Sequence, residues 1–246
     1  MSRTRLRRVL GGAASAGPVA CAIAWVTAPL TWTGYNPWRQ DLSTLSTLAA
    51  PWPWITVSGE LLLSVGILGL ATGLAITLAG RDVLVGVAML VTTGLAIAAQ
   101  AVAREDCDTG LAACAAREEA GLVSWHHSLH GYAAVLSFVT VLAAPIVLAR
   151  PFRSQPAWHN LAAYSVGTTV AGLILLVAYV AVPDTWTGLA QRLFVTVPVA
   201  WTAVVGARLV RLPGAGTPFG VRTTDPVGDE SAIRPADRRR RHHGPA

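Results

Sequence analysis

Six stretches of the chain, residues 9–31, 54–79, 83–103, 125–149, 159–182 and 193–212, are almost continuously apolar. Each is about 20 residues or longer, the length a helix needs to cross a hydrocarbon core. The pattern predicts an all-α fold, a polytopic membrane bundle of six transmembrane helices. Gly, Ala, Ser and Thr recur within the runs, which suits helices that pack closely without a water-driven core. Segment 32–53 holds Trp32, Trp38 and Trp52, with Trp54 opening the next run, and these rings are expected at headgroup depth. Segment 80–82 leaves room only for a tight hairpin. Segment 104–124 is acidic, with Glu105, Asp106, Asp108, Glu118 and Glu119, whereas 150–158 is short and basic.

Composition agrees with lipid as the main solvent: 53% of residues are apolar and 13% charged, against about a quarter charged in soluble domains. Charge adds the orientation. All 19 basic residues are Arg, and 15 of them share a side if both termini are cytoplasmic, leaving Arg39, Arg104, Arg117 and Arg192 opposite. The positive-inside rule therefore predicts cytoplasmic termini. The net charge of +6 is then a topology signal, and no nucleic-acid partner is implied. The first run is too long for a signal peptide and ends without a small-residue cleavage site, so an uncleaved anchor is expected. Cys21 is not read as a lipidation site, because Pro18 stands where an aliphatic residue is wanted. Residues 1–212 form the expected membrane domain and 213–246 a disordered Arg-rich cytoplasmic tail. His242 and His243 belong to that tail and receive no metal role.

Polar groups inside apolar runs are expensive and need a reason. Glu60 lies six residues past Trp54, about 9 Å deep at a helical rise of 1.5 Å. Desolvation disfavours a charge there, making Glu60 a hydrogen-bond donor or a poised acid. Gln100, His126, His127, His130, Asp184 and Arg192, with Asp41 and Ser43, gather on the same side of the membrane. An outward-opening polar pocket follows. His126 and His127 lie four and three residues before His130, within reach on one helix face, but neither HExxH nor a close CxxC pattern accompanies them. No metal is expected, and His130 is read as a hydrogen-bonding or proton-handling group. Cys107 and Cys114 share the outer loop and are expected to form a disulfide, with thiolate ligation as the rival. There is no Gly-rich phosphate loop, no GxSxG elbow and no transmembrane histidine pair suited to haem, so no cofactor is expected.

GYNPWRQDLSTL at 34–45, CDTG at 107–110, His130 with Gly131 on a helix reaching Phe138, and WTGLAQRL at 186–193 followed by Trp201 and ARLVR occur in order. Together they resemble the bacterial and archaeal membrane family called domain of unknown function 998, over about residues 10–212. The resemblance implies six helices with polar motifs on the outer side and highlights Ser43, Asp108, His130 and Arg192. Gln191 stands where that pattern leads one to expect an acid before Arg192. Two functions remain open. The pocket binds a membrane lipid or small lipophilic amphiphile through Ser43, Asp108, Arg192 and Gln100. Alternatively, the protein is a membrane-embedded cyclase or hydrolase acting on an isoprenoid or lipid, with Glu60 or Asp184 as acid and His130 as base. A proton-coupled transporter would need polar residues through the inner half, which are scarce.

Overall fold

Each apolar run is a helix in the computed structural model, which describes residues 1–213. The helices are α1 (Arg3–Thr27, continued by a 3-10 turn at Ala28–Thr31), α2 (Pro53–Ala75), α3 (Arg81–Val102), α4 (Ala112–Glu119), α5 (Trp125–Arg153), α6 (His159–Ala181) and α7 (Thr187–Arg211). All but α4 are long and apolar enough to cross a membrane, and no strand occurs among the described residues. This is a multi-pass membrane protein. Met1–Leu212 make up one unit; beyond Pro213, the tail expected over 213–246 lies outside the described residues.

Two elements depart from the hydropathy pattern. The short α4, AACAAREE, sits inside the acidic loop, where alanine's high helix propensity forms two turns that hydropathy does not reveal. The last spanning helix begins at Thr187, six residues before the apolar run, because the polar Gln191 and Arg192 spend their side chains on a neighbouring loop. Local chemistry explains other boundaries. Pro53 occupies the first turn of α2, where its missing N–H is not needed. Ser124 caps α5 by accepting from the His127 N–H at 3.3 Å. Arg150 and Arg153 close that helix, at the end where cations oppose the helix dipole favourably.

The spanning helices form a closed ring in the order α1, α2, α3, α5, α6, α7, with α7 returning to pack on α1. Small residues bring neighbours together. A Cβ on Gly17 would lie 2.3 Å from the Leu62 carbonyl oxygen, so only glycine permits this α1–α2 approach. Side-chain hydroxyls link other neighbours: Ser64 donates to the Gly94 carbonyl at 2.7 Å, Thr169 to that of Leu142 at 2.9 Å, and Ser15 to that of Ala203 at 3.1 Å. The outer surface carries exposed Val19, Ile23, Leu62, Val65, Leu95, Val139 and Val177, as expected for helices whose apolar residues run all round. Near the termini the ring is filled. Phe152 stacks on Trp158 with ring centres 5.0 Å apart, and Leu74, Leu148, Trp201 and Leu209 are fully buried with them. The Trp201 indole N–H donates to Ser165 Oγ at 2.9 Å, so this plug contains a satisfied polar pair.

Gly17→Leu should destabilise the fold by about 1–3 kcal/mol, the usual cost of overpacking. Gly12→Leu, at a position with open space around it, should leave stability unchanged. Thermal unfolding of both variants in detergent checks the α1–α2 approach; equal midpoints would refute it.

Candidate functional site

The segment between α1 and α2 folds over the end of the ring opposite the termini. Its backbone carbonyls need donors, and α7 supplies them. Arg192 Nη1 donates to the carbonyls of Pro37 at 2.8 Å, Gln40 at 3.0 Å and Gly188 at 2.8 Å. Its Nη2 donates to the Tyr35 hydroxyl, and the guanidinium lies 5.6 Å from the centre of that ring. Gln191 Oε1 accepts from the Leu42 N–H at 2.6 Å, which answers why an amide can precede Arg192. A Cβ on Gly188 would lie 2.3 Å from the Gln40 carbonyl oxygen, so the glycine of WTGLAQRL admits the lid backbone.

The acidic segment before α5 completes the lid. Arg104 donates to the carbonyls of Ser46 and Thr47, the Leu48 N–H donates to the Glu105 carbonyl at 2.9 Å, and Gln40 Nε2 donates to Asp108 Oδ2 at 2.9 Å. Cys107 and Cys114 are disulfide-bonded. Asp106 accepts from both the N–H and hydroxyl of Ser124, at 2.6 and 2.8 Å; the N–H bond chiefly holds its carboxyl below the usual range.

Beneath this lid is a cavity of about 180 Å³ to which all six spanning helices contribute. Its lid end presents Asp41, Ser43, Glu60, Gln100, Glu105 and His130; its lower wall is apolar and aromatic, with Trp25, Ile67, Phe138 and Phe194. Glu60 and Glu105 are 8% and 6% exposed, and Oε2 of each has no hydrogen-bond partner. Burial pushes the Glu105 carboxyl up from its ordinary value, with His130 and the Ser43 hydroxyl pulling the other way. Burial likewise raises Asp41, opposed by the Tyr179 hydroxyl, which donates to Asp41 Oδ2 at 2.6 Å.

The three histidines have separate tasks. His127 is 2% exposed; its Nδ1 accepts from the Asp106 N–H at 3.0 Å, so the proton sits on Nε2, which donates to Glu118 at 2.7 Å. His127 is thus a buried brace for the lid. His126 Nδ1 donates to the Arg104 carbonyl at 2.6 Å. His130 Nδ1 faces the carbonyls of Gln100 and Ala103 at 2.9 and 3.0 Å. Two acceptors require a proton on Nδ1, which leaves Nε2 toward the cavity, 4.0 Å from Glu105 Oε1. His130 thereby satisfies orphan carbonyls at the end of α3 and presents its other nitrogen to the site. Among the described residues, no three His, Cys, Asp or Glu side chains are grouped to hold a metal ion.

A family model described as "Protein of unknown function (DUF998)" matches residues 15–208. The chain belongs to the DUF998 family. No curated protein and no solved structure matches it. In this DUF998 protein, Glu60, Ser43, Gln100, Asp41 and His130 meet at the cavity. Arg192 and Asp108 are instead spent on the lid, and Asp184 is exposed and absent from the cavity wall. That position removes the reason for reading Asp184 as a buried acid. Glu105, Tyr179 and Gln191 also line the cavity, although the sequence does not mark them as site residues. Glu105 looks like one of five acids in a solvated loop; its one signal is that it falls directly after the third apolar run, where the chain has barely left the bundle.

Alkylation of unfolded, unreduced protein should label one thiol, Cys21, whose side chain is free and buried; three labels would exclude the disulfide. Because burial raises Glu105, its contribution to stability is complete below the unfolded value of about 4.3 and is lost as pH rises toward the folded value. Glu105→Gln should therefore lose less thermal stability than the parent as pH rises above about 4.3. Parallel curves for the two proteins would contradict this.

Proposed function

We propose that this DUF998 protein binds a small amphiphile drawn from the membrane, polar end under the lid and apolar end in the bundle. Residues 1–212 are its membrane domain, both termini are cytoplasmic, and the lid faces outside, in keeping with the Arg distribution of an inner bacterial membrane protein. The carrying observation is the cavity's division: carboxylate oxygens without partners at one end and aromatic and aliphatic walls at the other. Such a concave, mostly apolar space with a few converging polar groups is the usual form of a small-molecule site. A volume of about 180 Å³ slightly exceeds the ~150 Å³ cavity that takes up benzene in another protein. A ring-sized or short-chain group suits this space better than two acyl chains. Ser43 and Gln100 contact the ligand in this reading, whereas Asp108 and Arg192 act by holding the lid.

A second reading rests on His130 Nε2, 4.0 Å from Glu105 Oε1, with Glu60 on the same cavity. An imidazole beside a buried carboxyl is suited to acid–base chemistry on an isoprenoid or lipid ester. Native mass spectrometry separates the possibilities. The parent should carry a small lipophilic species, and Val141→Trp, which fills the apolar wall, should lose it while remaining folded. Retention by Val141→Trp would place the species elsewhere and defeat the binding proposal. Chemical conversion of a lipid extract by the parent but not by His130→Gln would favour the enzyme.

A further inference from the structure

The cavity's hydrogen-bonding inventory narrows the ligand. Its acceptors are in surplus: Glu60 Oε2, Glu105 Oε2 and Asp41 Oδ1 all lack partners. Several of its donors are spent. The Tyr179 hydroxyl is committed to Asp41, and His130 Nδ1 to two helix-end carbonyls. Arg192, the nearby permanent cation, is turned into the lid backbone. A phosphate or carboxylate entering here would meet three unpartnered carboxyl oxygens. An ammonium group brings three donors and no acceptor, together with the positive charge that buried carboxylates otherwise lack.

The walls point the same way. Phe138 and Phe194 meet edge to face with centres 4.9 Å apart, and Tyr179 stacks beside Phe194 at 6.5 Å. Aromatic faces accept the apolar substituents of such a ligand. Among the described residues no three His, Cys, Asp or Glu side chains are grouped to hold a bare metal ion, and the space is about 180 Å³. The acidic cluster does not stand alone as an indication of a site: Glu60 and Glu105 are 8% and 6% exposed, unpartnered at Oε2 and part of the cavity wall.

Resting on the amphiphile-binding reading, we propose that the ligand is a lipophilic amine, an organic ammonium whose nitrogen sits between Glu60 and Glu105 and whose apolar group lies against Phe138 and Phe194. A size-matched series tests this on the full chain in detergent: 2-phenylethylamine, the neutral 2-phenylethanol and the anionic 3-phenylpropanoate, with affinity read by calorimetry. The amine should bind at least about tenfold tighter than the alcohol, the scale of a charge-assisted hydrogen bond, and the anion should bind weakest. Glu60→Gln and Glu105→Gln should each weaken the amine while changing the alcohol little. If all three compounds bind equally and Val141→Trp abolishes them, the cavity binds amphiphiles but the amine assignment is overturned. Preference for the alcohol or the anion overturns it as well. If none binds, the amphiphile reading falls with it. Amine binding that is unchanged in a Glu60→Gln, Glu105→Gln double variant places the amine elsewhere and also refutes the proposal.

Discussion

A loop that closes the end of a membrane bundle must find donors for its carbonyls, and here much of that task falls to one guanidinium. Arg192 supplies bonds to Pro37, Gln40 and Gly188 and supports the Tyr35 ring. Gln191, beside it on the same helix, holds the Leu42 N–H. Two adjacent side chains of α7 therefore set where the lid lies. Asp41 inherits its position from that arrangement, held by Arg192, which does not line the cavity, and by Gln191, which does. A planar fork with several donors suits this work better than an ammonium would.

The spanning helices were legible because crossing hydrocarbon demands length and apolarity, and both are written locally in the chain. The start of α7 was not, because Gln191 and Arg192 look like loop residues until their loop partners are known. Cys107 and Cys114 could be paired from compartment and proximity in sequence. Glu60 was legible as an anomaly within an apolar run. Glu105 was not, because a carboxylate in an acidic segment resembles every solvated carboxylate; its burial comes from Arg104 and Leu48 drawing the two loops together. Asp184 shows the opposite error, since closeness to a helix end carries no information about which way a side chain turns.

The residues that carry the family likeness divide by task. Tyr35, Gln40, Asp108, Gly188 and Arg192 build the lid, while Ser43 and His130 reach the cavity. His130 joins both groups, closing the end of α3 with one nitrogen and facing the cavity with the other. Much of the motif content of this chain thus specifies architecture, while Glu60, Glu105 and the aromatic wall line the cavity outside those motifs.

The packed end of the ring has a consequence for kinetics. With Phe152, Trp158 and Trp201 filling the bundle below, the chamber is a blind alley. Under the binding reading proposed above, an occupant has no path through that packed end, and its residence time is set by opening at the Arg192-held lid.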